Sequence, residues 1–372
     1  VDLVSRVGGD EFAIIQTDVT DPSEVGALAE RLVTALAATF SIDESEVRIG
    51  ASVGVTLYDG GSTAEALRSQ ADLAMYRAKA EGRGTYRFFV EGMDAEVRRR
   101  AALAADLRRA LASGEELSLA YQPQVELGSG RIVGVEALAR WQHPTRGSIS
   151  PSEFVPLAEK SGLLPLLGRW ALCAACAQAK AWLDQGIDFG TVAVNVSGSQ
   201  FRTPLDLESA VAAALRETGL PARFLELELT ESVLMDGWFE QRDVLSRMTQ
   251  AGVTFAIDDF GTGFSSLQHL ARLPIRRLKI AQLFTGEMGR DPSSAAIVRA
   301  TIALARELGL RVIAEGVEKR EHLDWLISWG CREGQGFLFS KPLPAHETEP
   351  MLRRGVALAG SGTWRRISHA VA

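Results

Sequence analysis

Cysteines, an excess of positive charge and long apolar runs are all scarce in these 372 residues, and each scarcity removes a class of explanation. Three cysteines (Cys173, Cys176 and Cys331) are too few for a disulfide framework. Cys173-Ala-Ala-Cys176 has the spacing of half a zinc site or of a redox pair. No second pair exists and the stretch reads as an alanine-rich helix, so we assign both thiols to small-residue packing. A formal net charge of -7 supplies no electrostatic footprint for DNA or RNA, while leaving room for a small anionic ligand, because local charge decides that. No uninterrupted apolar run approaches the ~20 residues of a membrane span, and no signal peptide opens the chain. The segment therefore reads as cytoplasmic and without membrane contact, any anchor of a longer parent lying upstream. The 46% hydrophobic and 23% charged residues present are those of a soluble globular chain long enough for two domains.

Alternating strand and helix patterns divide the chain. In residues 1–90, Val7 to Ile15 reads as two strands joined by a tight Gly-Gly turn. Residues 23–39 and 64–82 carry apolar residues at helical spacing, and Ile49 to Leu57 is strand-like. This is an α+β block whose strand pattern is under way at Val1, so the expectation is a domain lacking its N-terminal half. Residues 91–115 read as a linker helix, basic at Arg98-Arg99-Arg100 and Arg108-Arg109, with a narrow leucine stripe that suits a solvated connector. From Leu117 to about Pro344 strands and helices alternate over nearly the roughly 250 residues typical of a (β/α)8 barrel. Residues 356–372 show no pattern and read as a tail.

Six short apolar strands in the second region end in polar groups. Glu136 follows Ile132 to Val135, Asn195 ends Val192 to Val194, and Glu228 sits in Leu225 to Glu231. Asp258-Asp259 close Phe255 to Ile257, Lys279 lies between Leu278 and Ile280, and Glu315 closes Val312 to Ala314. When parallel strands close into a barrel, their C-terminal ends meet on one face, where such barrels build active sites. Carboxylates gathered there need neutralising, and divalent cations are the usual solution. A metal-dependent barrel enzyme is the reading these residues give by themselves.

Gly8-Gly9-Asp10-Glu11-Phe12 and Glu136-Ala137-Leu138 carry a more specific resemblance. The chain resembles a GGDEF–EAL tandem protein of bacterial cyclic di-GMP signalling. Over residues 100–355 the likeness continues through Tyr121-Gln122-Pro123, Ala139-Arg140-Trp141, Asn195-Val196-Ser197 and Glu228-Leu229-Thr230-Glu231-Ser232. It extends to Asp258-Asp259-Phe260-Gly261-Thr262-Gly263, Leu278-Lys279-Ile280, Glu315-Gly316-Val317-Glu318 and Gln335-Gly336. Ala71-Asp72-Leu73-Ala74-Met75-Tyr76 and Ala78-Lys79 extend the GGDEF likeness, which covers the second half of that domain. The fold implied is a TIM-like (β/α)8 barrel, in the α/β class, over residues 116–355, preceded by a partial α+β nucleotide-cyclase-like GGDEF domain.

The resemblance implies a homodimeric phosphodiesterase that opens cyclic di-GMP to linear pGpG with two Mg2+ or Mn2+ ions. It implies that Glu136, Asn195, Glu228 and Asp258 hold one ion, that Asp258 bridges to a second, and that Asp259 reaches the second. Lys279 and Glu315 would serve the nucleophilic water; Gln122, Leu138, Arg140 and Gln335 would contact substrate. Ca2+ would inhibit, its longer bonds misplacing the water. Glu231 would anchor a loop, Asp259 to Ser266, that runs to the dimer interface; a helix N-terminal carboxylate is the plainer alternative. His143, ahead of Pro144, suits loop packing better than metal ligation. One departure stands out: the family carries an acid two residues after the strand lysine, where this chain has Ala281. Strand alternation would set Ala281 on the face of Lys279. It leaves open a catalytically silent receptor for the same nucleotide. In the first domain the intact signature, with Gly8 and Gly9 near GTP and Glu11 on a metal, keeps cyclase activity open for a longer parent. The segment itself lacks the family's upstream guanine-binding residues.

Overall fold

The computed structural model describes residues 2–17, 19, 22–42, 45–90, 93–201, 204–231, 238–263, 270 and 273–357. Contacts divide the chain into two units, Val1–Leu103 and Ala104–Ala372.

Among its described residues the first unit carries three two-stranded sheets, the helices Pro22–Leu36 and Ala64–Ala80, and the start of the helix Met93–Ser113. β1 (Leu3–Gly8) and β2 (Glu11–Ile15) pair antiparallel with Gly8 opposite Glu11. Gly9 takes φ +56° in the turn, a conformation open to glycine at little cost. β3 (Thr39–Ile42) pairs antiparallel with β4 (Ser45–Arg48). β5 (Val53–Val55) and β6 (Tyr86–Phe88) run parallel, as a crossover through the helix Ala64–Ala80 requires. Thr63 caps that helix by accepting from the Ala66 amide. The helix lies so close to β5 that a Cβ at Gly54 would fall 1.9 Å from the Ala71 carbonyl oxygen. The strand pattern read over Ile49 to Leu57 narrows to β5, because only three residues find partners on β6.

The second unit is a closed barrel of eight strands. β7 (Leu117–Glu126), β8 (Ile132–His143), β10 (Thr191–Val196), β11 (Leu225–Thr230), β12 (Thr254–Phe260), β13 (Arg277–Ile280), β14 (Arg311–Ala314) and β15 (Glu333–Gly334) follow in that order, and β15 pairs back onto β7. β9 (Gly147–Ile149) and β16 (Leu343–Pro344) extend its ends. Every neighbouring pair from β8 to β15 is parallel, whereas β7 is antiparallel to both neighbours. This amends the uniformly parallel barrel that strand–helix alternation implies. Residues 127–131 link β7 to β8 as a short turn, too short for the dozen or more residues of a crossover.

Helices cover the barrel. On Leu164–Asp184, Leu172, Ala175, Cys176, Ala179 and Trp182 are buried, with Trp182 edge-on to Tyr121 at 4.8 Å. Cys176 is therefore packing, and burial pushes its thiol up to about 12. His143 is a packing residue too: Nε2 meets Asp106 at 3.1 Å, and Nδ1 accepts from the Thr145 and Arg146 amides. Among the described residues no helix is long and apolar enough to cross a membrane. Residues 358–372 of the expected tail lie outside the described residues.

Candidate active site

Register brings the strand-end residues together. Asn195 lies opposite Glu228 across β10 and β11, Gln122 opposite Glu136 across β7 and β8, and Asp258 opposite Thr230 across β11 and β12. Lys279 is the common partner of four carboxylates. Its fully buried ammonium lies 2.6 Å from Glu228 Oε2, 2.8 Å from Glu315 Oε1, 3.0 Å from Asp258 Oδ1 and 3.5 Å from Glu136 Oε2. Asn195 donates to Glu136 Oε1 at 2.8 Å. Gln335 Nε2 donates to Glu136 Oε2 at 2.6 Å and to Gln122 Oε1 at 2.9 Å, and Gln122 donates to the Ser340 carbonyl. Both glutamines thus belong to the carboxylate cluster's own hydrogen-bond network.

The electrostatics divide the acids. Burial, then the neighbouring Glu136 charge, raises Glu228 well above the ordinary carboxylate range in spite of Lys279. Burial also pushes Glu315 up to about 8 against the pull of Lys279. For Glu136 burial acts in the same sense, but Lys279 and the amide donors of Gln335 and Asn195 outweigh it and hold the group low. Lys279 is raised, the four carboxylates overcoming the cost of its own burial.

Asp259, at the exposed end of β12, takes φ +52°, a costly conformation for a non-glycine residue. Partial burial and Asp258 raise its carboxyl. The bend turns it toward the cluster: carboxylate oxygens of Asp258, Asp259 and Glu315 lie within 4.8 Å of one another. Glu231 stands outside that cluster. Its Oε2 accepts from the Gly261 and Gly263 amides at 2.9 and 3.3 Å, pinning the segment just after Asp259. Phe264 to Ser266 of the loop expected to reach a dimer interface lie outside the described residues, as does Ser232.

Leu138 and Arg140 continue the Glu136 face of β8 at period two. Arg140 donates to the Ala139 carbonyl and has no carboxylate partner among the described residues, leaving its fork available to an anion. β13 ends at Ile280 and Ala281 heads the helix Gln282–Glu287, buried among apolar side chains. Strand alternation therefore does not carry to Ala281 as the sequence suggested. The signature Gly8 to Phe12 belongs to the other unit, where it forms an exposed hairpin. Sequence reasoning missed the buried Gln124, Glu226 and Arg277, although Glu226 and Arg277 stand two residues before Glu228 and Lys279 and so share their inward face.

The sequence model of the EAL domain matches residues 104–342, and that of the diguanylate cyclase GGDEF domain matches residues 1–85. The chain is 43% identical, over 93% of its length and 50% of the relative's, to a Pseudomonas aeruginosa protein named bifunctional diguanylate cyclase/cyclic di-GMP phosphodiesterase MucR. It is 39% identical, over 95% of its length and 53% of the relative's, to the Escherichia coli cyclic di-GMP phosphodiesterase PdeR. It thus spans about half the length of these curated relatives. Among solved structures, one described as the PaMucR phosphodiesterase in complex with c-di-GMP matches with a TM-score of 0.64 and 44% identity, covering 66% of this chain and 99% of that one.

Proposed function

The chain belongs to the EAL domain family, and from that membership we propose that its barrel is a metal-dependent phosphodiesterase opening cyclic di-GMP to linear pGpG. The observation that carries this reading is the charge of the cluster. Five carboxylates (Glu136, Glu228, Asp258, Asp259 and Glu315) against one ammonium leave four formal negative charges, the charge of two divalent cations. The donors are carboxylate and amide oxygens throughout, which suits hard ions such as Mg2+ or Mn2+.

Glu136, Asn195, Glu228 and Asp258 would hold one ion; Asp258 and Asp259 would hold the other, with Glu315 in support. When bound, such ions would lower the pKa of a water to give a nucleophile near neutral pH and would offset charge on the phosphate. Lys279, with donors already directed among the acids, orients the nucleophile and offsets phosphate charge. Arg140 takes a phosphate on its guanidinium fork. Gln122, Leu138 and Gln335 line the nucleotide, Gln335 also holding Glu136 through the 2.6 Å bond. Glu231 ties the Asp259 segment toward a homodimer contact through the EAL barrel.

Residues 1–90 are assigned as the C-terminal half of a GGDEF domain, 91–115 as a linker, 116–355 as the phosphodiesterase and 356–372 as a tail. The intact signature Gly8 to Phe12 leaves GTP binding and cyclase activity open for a longer parent, and one relative is named bifunctional. Incubation with cyclic di-GMP and Mn2+ should give pGpG by chromatography, and Glu136→Ala should abolish it; folded protein yielding no product refutes the assignment. Ala281 favours a second reading, a receptor that binds the nucleotide without turnover. Binding without pGpG across several divalent ions would establish it.

A further inference from the structure

We propose that Gln124 is a positioning residue for Glu228, held in place by Arg277 from the layer beneath; this rests on the metal-dependent reading above. The barrel interior is charged at two levels. Below the acid cluster, fully buried Arg277 lies 2.7 Å from Glu226 and 3.2 Å from Glu333. Arg311 lies 3.3 Å from Glu333 and 3.8 Å from Glu226. Two guanidinium groups against two carboxylates leave this lower layer neutral, so it needs no cation of its own.

Gln124 on β7 joins the layers and is fully buried. Its Oε1 accepts from Arg277 Nη1 at 2.6 Å, and its Nε2 faces Glu228 Oε1 at 3.5 Å. Arginine offers no acceptor and keeps its proton, so the carboxamide cannot flip without setting its own N–H groups against Arg277. The amide is thereby directed at Glu228, whose other oxygen receives Lys279 at 2.6 Å. A donor of fixed direction at each oxygen sets the plane of the Glu228 carboxylate and the lone pairs left for a cation. The slot for Gln124 is built into the neighbouring strand. Gly134 is its partner across β7 and β8, and a Cβ there would fall 2.7 Å from Gln124 Oε1.

The test titrates Mn2+ into the full chain, following free Mn2+ by electron paramagnetic resonance, with the metal-free melting temperature as a separate measure of folding. Gln124→Leu removes the amide. Gln124→Asn keeps it but is one methylene short of reaching Arg277 and Glu228 together. Gly134→Ala changes no carboxylate and crowds the end of Gln124 most closely, at 2.7 Å, with the Thr191 hydroxyl and carbonyl oxygens at 3.0 and 3.1 Å. Each folded variant should bind Mn2+ on the order of 10- to 100-fold more weakly, with kcat falling in step and KM for cyclic di-GMP little changed. Mn2+ affinity within about twofold of wild type in folded Gln124→Asn or Gly134→Ala, well short of such an effect, overturns the proposal even where Gln124→Leu does not fold. Wild-type protein binding no Mn2+ would overturn the metal-dependent reading itself, a different failure from intact binding in the variants.

Discussion

Replacing Lys279 by methionine separates the two tasks assigned to the lysine, neutralising the acids and serving the reaction. In the metal-free protein its ammonium is the one cation in contact with Glu136, Glu228, Asp258 and Glu315 among the described residues. Lys279→Met removes that charge and keeps most of the side-chain volume. Breaking a buried ion pair by deleting one partner costs about 3–5 kcal/mol, because the other charge stays buried without compensation. Glu228 and Glu315, already raised by burial, would take up protons and relieve part of that cost. At roughly 2–4 °C per kcal/mol for a unit of this size, the metal-free melting temperature should fall by about 6–20 °C.

Mn2+ should reverse much of that loss, since a ligand at one hundred times its Kd stabilises by about 2.7 kcal/mol. Lys279 is no ligand and repels cations, so the variant should bind Mn2+ at least as tightly as wild type while kcat drops by about 10²–10³, the cost of losing one preorganised donor that stabilises developing charge. Thermal melts in chelator and in Mn2+, a Mn2+ titration and steady-state kinetics read all three quantities. Collapse of Mn2+ affinity, or an unchanged metal-free melting temperature, would refute the reasoning.

Glu315 gives a pH dependence of definite sign. Its folded value, about 8, lies above the ordinary 4.5, so its stabilising contribution is complete below about 4.5 and lost as pH rises through 8. In chelator, the melting temperature of wild type relative to Glu315→Gln should therefore decline between pH 5 and 8.5, a window set by that shift; a flat difference contradicts the assignment. Glu231→Ala strips the acceptor from the Gly261 and Gly263 amides, and should lower stability by about 1–3 kcal/mol and reduce kcat as Asp259 loses its support. Denaturant melts with kinetics check both, and unchanged kcat removes the link. Ca2+ in place of Mn2+ should suppress turnover without weakening nucleotide binding; full activity in Ca2+ would contradict the two-metal geometry.

The inward polar groups were legible because period two is strict in a strand: Glu136, Asn195, Glu228 and Asp258 end apolar runs, so their positions at one barrel mouth follow from closure. The reversed first strand was not legible in apolar periodicity, which is blind to direction; only the shortness of the link at residues 127–131 marks a hairpin rather than a crossover. Neither was the lower charged layer. Glu226 and Arg277 read as ordinary polar residues flanking the motif positions, and their burial depends on strands distant in sequence, with Gln124 153 residues from Arg277. Asp259 was named through the resemblance alone: strand alternation would turn it away from Asp258, whereas its left-handed backbone bends it toward Asp258 and Glu315.

Ala281 looks like a defect only while it is placed on the strand. Lys279 donates to Glu228 at 2.6 Å, and its ammonium lies 2.8 and 3.0 Å from Glu315 and Asp258, with Glu136 at 3.5 Å. A further acid would add one more buried carboxylate to a cluster in which carboxylates already outnumber the ammonium five to one. Alanine at the head of the helix Gln282–Glu287 leaves the lysine among four carboxylates and packs as a small apolar residue. The substitution thus removes a neighbour without orphaning a group. On that ground the phosphodiesterase outranks the silent receptor, because no carboxylate that would hold the ions is lost with it.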